Sequence, residues 1–349
     1  MPSHRHTLVV PICLAVLSLV SGMLRAESPV LIPGPGLARV EQSPGVSVSI
    51  PLAPGAALSS VSALGDGWIA AGTRSFEDGR TSDILLLMPA AAEAPGQGVE
   101  FDEILPPAGR IGPIRQEPVP LVAGGRLAGL VWLEGQDRGA FAVRFAAWKG
   151  EEWGTVQTVS RGGSGSQLAL TSARLRDGSW LIAWSAFDGK DDEIFWSRWN
   201  PARGEAWSQP RRAARDNAVP DITPALTVAG NSALLAWSRF DGEGYSTVLS
   251  RFKGGQWTAP QPVVAGAVFP SFEPAASGGG ALLVLRTAEP QGWAAVEIDA
   301  AGRIGRKALL PASEASRPVL SDGPSTGLTF RWPATGAERH ADWQTEQRP

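Results

Sequence analysis

Apolar positions along this chain come in short runs rather than on a helical stripe. Ala233 to Trp237 and Thr247 to Phe252 are runs of five and six, bounded by Gly, Asp, Asn and Pro, and no long stretch keeps the 3.6-residue spacing of an amphipathic helix. Each run reads as a strand. One stretch divides into four: A near Ala225 to Val228, B at Ala233 to Ser238, C at Ser246 to Phe252 and D at Gln256 to Val263. Strand B is apolar at successive positions, so both of its faces are expected to be buried.

The same phrase occurs twice. "LIAWSAFDGKDDEIFWSRW" and "LLAWSRFDGEGYSTVLSRF" share Ala-Trp-Ser-x-Phe-Asp-Gly followed by Ser-Arg-aromatic, with Trp184 and Trp237 53 residues apart. Gly-x-x-Trp phrases end at Trp153, Trp207 and Trp257, so the period is close to fifty. Four short strands and their turns fill such a period, which is the size of one β-propeller blade. Six A–B pairs can be read: "SSVSALGDGWIAAGTR", "PVPLVAGGRLAGLVWL", "LALTSARLRDGSWLIAWS", "TPALTVAGNSALLAWS", "EPAASGGGALLVLR" and "RPVLSDGPSTGLTF". The expectation is an all-β, six-bladed propeller of four-stranded antiparallel blades spanning residues 45–349, or seven-bladed if residues 89–115 hide a degenerate blade. "GVSVSIPL", Gly45 to Leu52, is expected to complete the last blade and close the ring. Residues 27–44 read as an extended tether or as disorder.

Composition changes the picture mainly by exclusion. Residues 1–26 have a short basic start, an apolar run from Thr7 to Leu24 and a small residue, Ala26, at the end, which is the layout of a secretory signal peptide. The expectation is cleavage there, a periplasmic or secreted protein, and no membrane span afterwards. Cys13 lies inside that segment, so the remainder has no cysteine and therefore no disulfide, thiolate metal site or cysteine nucleophile. Beyond residue 26 there are 29 Lys and Arg against 34 Asp and Glu, which gives no footprint for nucleic acid or an anionic membrane. His340 is the one histidine left, with no Gly-x-Ser-x-Gly elbow, which argues against Ser-His-Asp catalysis. No Gly-rich phosphate loop opens a helix.

"SRFKGGQW" resembles the Asp-box turn of sialidase-like propellers, Ser-x-Asp-x-Gly-x-x-Trp: Ser250, Gly254 and Trp257 match, and Phe252 stands where the Asp would be. "AAWKGEEW" keeps Gly150 and Trp153, and "SRWNPARGEAW" keeps Ser197, Gly204 and Trp207 with three extra residues. The resemblance covers the repeats and implies a propeller fold, because in that family the motif is structural and faces away from the active site. The family's arginine triad and Tyr-Glu pair have no counterpart at matching positions; the single tyrosine, Tyr245, lies in a B–C loop.

Chemistry is expected on the rim made by the B–C loops and the starts of the A strands. The loops are polar, Gly-rich and mostly acidic, with scattered arginines such as Arg239, and would suit a glycan, an envelope component or another protein. Asp188, Asp191 and Asp192 in one loop could hold Ca²⁺, although their spacing is not that of an EF-hand. Aligning the A strands on their prolines puts Glu117, Gln167, Thr223, Glu273 and Arg317 at one position. Glu117 and Glu273 would then face each other across a six-bladed ring, as the two carboxylates of a glycosidase do. Trp293 and Trp332 are the tryptophans best placed for a ligand, and those at repeated positions are expected in the core. The leading expectation is a non-catalytic exported propeller. The alternatives are a sialidase-fold glycoside hydrolase using Glu117 and Glu273, or a structural subunit of an envelope assembly. No cofactor other than Ca²⁺ is expected.

Overall fold

The computed structural model describes residues 29–344 apart from 35, 44–45, 66, 77–81, 90–100, 104–112, 136–139, 162–166, 205, 216, 275–278, 312–316 and 322–326. The expected signal segment and most of residues 89–115 lie outside the described residues. The chain divides into two compact units, Met1–Thr158 and Val159–Pro349. Both are built from antiparallel sheets, and the one helical turn among the described residues is the 3-10 turn Pro201–Arg203. None of the described helices is long and apolar enough to cross a membrane.

Antiparallel pairs form at all six predicted A–B positions, although the fifth A strand lies upstream of the predicted one and overlaps it only at Glu273 and Pro274. In the first unit they are Ala56–Leu64 with Gly67–Ser75 and Ile114–Ala123 with Arg126–Gly135. In the second they are Gln167–Arg174 with Trp180–Phe187, Asp221–Ala229 with Ser232–Phe240, Ala267–Pro274 with Ala281–Thr287, and Val319–Ser321 with Gly327–Trp332. In the fourth pair the C strand is Tyr245–Lys253, and the predicted D strand is two pieces, Gln256–Trp257 and Gln261–Ala265.

The N-terminal part differs from expectation. Within the segment expected as a tether, Val30–Ile32 and Leu37–Ser43 are strands that join Val46–Pro51 in a three-stranded sheet. The segment expected to complete the last blade thus has Leu37–Ser43 as its partner. The physical reason is alternation missed in a Pro- and Gly-rich stretch: Ala38, Val40 and Ile50 are fully buried and pack on Leu58, Trp68 and Leu87.

In the second unit each core cluster spans two consecutive repeats. Leu235 and Trp237 on the strand Ser232–Phe240 pack with Leu181, Ile194 and Trp196 of the repeat before, while Leu234 and Ala236 on its other face pack with Leu283, Leu285 and Val296 of the repeat after. Successive residues of a strand point to opposite faces. A strand wedged between two neighbours must therefore be apolar at every position, which is the pattern its sequence carries.

The Asp-box-like turns do the same structural work. Ser197 Oγ donates to the Ser208 carbonyl at 2.6 Å and Ser250 Oγ to the Thr258 carbonyl at 2.6 Å, so each serine ties its strand to the residue after the tryptophan. Gly254 sits at φ +61°, where a side chain would be strained. Phe252, in the place of the Asp, is buried with its ring 5.2 Å from Trp196 and 5.0 Å from Trp257. The substitution exchanges a polar turn contact for packing between repeats.

Trp237 has no exposed surface. Trp237→Ala should cost about 3–5 kcal/mol of unfolding free energy in a denaturant titration; a loss below about 1 kcal/mol would show that the wedge between repeats does not hold the unit together.

Candidate functional site

The A strands share a defect. In four repeats the ladder skips a register, between Gln116 and Val119, Leu168 and Thr171, Ile222 and Ala225, and Val268 and Ser271. The residue in each gap has positive φ: Glu117 +48°, Ala169 +55°, Thr223 +53° and Phe269 +54°. Three of the four precede a proline (Pro118, Pro224, Pro270), which has no N–H to contribute to the interrupted ladder. A left-handed conformation at a β-branched or bulky residue is strained by about 1–3 kcal/mol, and such bulges re-aim side chains next to functional sites.

This register corrects the alignment drawn from sequence. Counted from the bulge, Glu117 matches Ala169, Thr223 and Phe269. Gln167 lies two residues earlier and Glu273 four later, because the proline that follows the bulge of the fifth A strand is Pro270, not Pro274. Glu117 and Glu273 are therefore not equivalent, and they belong to different units. The positional argument that made them a catalytic pair does not hold.

Within the second unit the bulges of neighbouring repeats are connected. Thr223 Oγ1 and Ser238 Oγ share a hydrogen bond of 2.8 Å, and Ser238 Oγ accepts from the Phe269 amide at 3.2 Å. Phe269 is 58% exposed, the most open large apolar side chain among the described residues. Four residues along its strand, Glu273 is paired with Arg317, so two of the predicted site residues do meet. Burial pushes the Glu273 carboxyl above its ordinary range, and the Arg317 guanidinium pulls it back only in part. Its side chain remains 21% exposed, within reach of a ligand.

Deeper in the same unit lies a charge network. Asp221, fully buried, accepts from Arg239 Nε at 2.7 Å and Nη2 at 2.6 Å. Asn217 Nδ2 bridges Glu193 Oε1 at 3.2 Å and Asp221 Oδ2 at 3.4 Å. Glu193 is also fully buried, and desolvation, reinforced by the neighbouring Asp221 and Asp191 charges, raises its pKa to about 7. The Asp of each Phe-Asp-Gly phrase caps its own loop. Asp188 Oδ1 accepts from the Lys190 and Asp191 amides and Asp241 Oδ1 from those of Glu243 and Gly244, which holds both carboxyls below the usual range. The repeated phrase is thus a turn rather than a reaction centre.

Other predicted residues are placed differently. Trp293 and Trp332, expected at the ligand surface, are 6% and 0% exposed in the core cluster of the last two repeats; they occupy buried faces of their sheets and not loops. Tyr245 stands half-buried at the start of its C strand with its ring 5.3 Å from Phe240. Gln167 is buried, and Asp192 is not among the acids that converge with Asp188 and Asp191; Glu193 is. Strand alternation explains the last shift, since Asp191 and Glu193 share a side and Asp192 faces away. Sequence reasoning missed Glu193 and Asn217, and the only signal for Glu193 is an acid at a strand position otherwise filled by apolar residues.

The sequence matches no protein-family model and no curated protein. Similar folds do occur among solved structures. A protein of unknown function from Dyadobacter fermentans superposes with a TM-score of 0.53 at 12% identity, covering 83% of this chain and 95% of its own. An ulvan lyase of polysaccharide lyase family 25, solved bound to -[GlcA(1-4)Rha3S]-, does so with a TM-score of 0.50 at 9% identity, over 80% and 78% of the two chains. A thermostable family-43 glycoside hydrolase gives a TM-score of 0.39 at 10% identity, over 81% and 91%. The fold is thus all-β. The expectation of a non-catalytic binder is corrected: it rested on the lack of a recognisable nucleophile-base set, whereas the neighbour of named activity that superposes at a TM-score of 0.50 is a polysaccharide lyase.

Two substitutions check the site's construction. Ala169→Gly should stabilise the protein by about 1 kcal/mol by relieving the left-handed bulge, where glycine inside a regular strand costs a similar amount. Arg239→Ala should cost about 3–5 kcal/mol by leaving Asp221 buried without its partner. Denaturant titration reads both, and the opposite sign for Ala169→Gly would contradict the strained geometry.

Proposed function

We propose that this protein is a glycan-cleaving enzyme in which Glu273 transfers the proton and Phe269 offers a sugar its ring face. The observation that carries the reading is the state of Glu273: a carboxyl raised by burial, still partly open to solvent, and held by Arg317. A general acid needs a pKa near its working pH, and raising a carboxyl by desolvation is the usual way to obtain it. The apolar face of a pyranose packs on exposed aromatic rings, and Phe269 is the exposed ring on the same strand, Phe272 being packed against the core. The ulvan lyase among the fold neighbours, solved bound to -[GlcA(1-4)Rha3S]-, supports a polysaccharide as the substrate. The leader-like residues 1–26 suit an enzyme that meets its polymer outside the cytoplasm.

In hydrolysis Glu273 must be protonated to donate to the leaving oxygen. Activity then falls as pH rises through its raised pKa. The guanidinium of Arg317 favours a second reading, β-elimination, in which a cation neutralises a uronate, an ionised base removes the proton beside it, and the C–O bond to the glycosidic oxygen on the next carbon breaks, that oxygen leaving with a proton as the other product's hydroxyl. Activity then rises with pH through the same value, and the product carries a new double bond.

Purified protein should depolymerise at least one member of a panel of neutral and uronate-containing polysaccharides. Glu273→Gln should lower kcat about 100-fold or more with the fold retained. Arg317→Gln, by removing the charge that lowers the Glu273 pKa, should move the Glu273 limb of the pH profile upward. Full activity in Glu273→Gln would sink the assignment. The direction of the limb and the presence of unsaturated product decide between the two reactions.

A further inference from the structure

Three carboxylates converge at the B–C loop of the third repeat, the first of the second unit. Asp188, Asp191 and Glu193 each bring an oxygen within 4.8 Å of the others. Asp191 is 9% exposed and Glu193 not at all, so neither can spread its charge into water. Arg212 pairs with Asp188 and supplies one positive charge. Arg239 is committed to Asp221. Carboxylates crowded into a poorly solvated space raise one another's cost of ionisation.

Two buried oxygens also lack a hydrogen-bond partner among the described residues: Glu193 Oε2 and Gln167 Oε1. They are related by the sheet. Gln167 pairs with Ala186 and Ala186 with Glu193, so the two side chains stand on one face of one row with only a methyl group between them. Buried acceptors without donors are rare in folded proteins, and a bound ion is one of the standard reasons for them.

We infer that Asp188, Asp191 and Glu193 bind a divalent cation, with Gln167 as a neutral oxygen ligand beside them. The donor set is oxygen only, which selects a hard cation. The irregular loop Asp188–Asp191, with its own turn hydrogen bonds, suits the flexible coordination of Ca²⁺ better than the strict octahedron of Mg²⁺. The ion would fasten the B–C loop of the third repeat to the strand Asp192–Trp199 and, through Asn217, to Asp221 of the next repeat. This site is independent of the assignment of Glu273.

The test is calorimetric titration of CaCl₂ into the chelator-treated full-length protein, with MgCl₂ as a second arm and thermal unfolding recorded with and without each metal. The expected result is one saturable Ca²⁺ site, weaker Mg²⁺ binding and a higher Tm with Ca²⁺. Glu193→Gln should abolish the heat and the Tm shift. Asp188→Asn, on the more open loop, should fold and weaken binding at least tenfold, which keeps the test decisive if Glu193→Gln does not fold. Absence of Ca²⁺ binding in the wild type, or equal binding in Asp188→Asn, would overturn the proposal.

Discussion

Burial of both faces of the second strand in the third, fourth and fifth repeats is the constraint on which the second unit depends. Leu235 and Trp237 turn to one neighbouring repeat and Leu234 and Ala236 to the other, so no repeat completes its core alone. The Ser197 and Ser250 bonds fix the outer turns, and Phe252 with Trp257 extends the wedge to the edge of the sheet. Once each strand must be apolar on both sides, polar chemistry is driven to the strand ends and loops, and Glu273, Arg317, Asp188 and Asp191 are found there.

That constraint also accounts for where strain and charge are stored. The A strands have fewer apolar obligations, and each bulged one gives up a stretch of ladder to turn one residue outward. The same ends hold the buried ions. Asp221 is held by a two-pronged guanidinium, whereas Glu193 is fully buried with its Oε2 unbonded among the described residues. One group of charges is closed and the other calls for a ligand.

The sequence made the repeats legible because period and apolar pattern are set by the wedge: the six A–B pairs follow from "LLAWS" and its weaker copies. It misled where two causes give one pattern. Pro and Gly between Ser28 and Gly45 suggested a tether, although Ala38, Val40 and Ile50 alternate into a core. Pro274 looked like the marker shared by the A strands, but the bulge is marked by Pro270, one residue after Phe269, and a backbone conformation leaves no trace that composition can reveal. Trp293 and Trp332 read as rim residues because strand ends and loops differ by one or two positions, and that difference decides burial. Glu193 was invisible for a related reason: only the folded register brings it to Asp188 and Asp191.

The account stands or falls on Glu273 meeting a sugar. A crystal structure of the Glu273→Gln protein with an oligosaccharide cut from its polymer addresses this directly. The account predicts a pyranose on Phe269 and a glycosidic oxygen or an adjacent C–H within hydrogen-bonding reach, about 2.6–3.5 Å, of the substituted side chain. An oligosaccharide bound elsewhere, with solvent over Phe269 and residue 273, would contradict it.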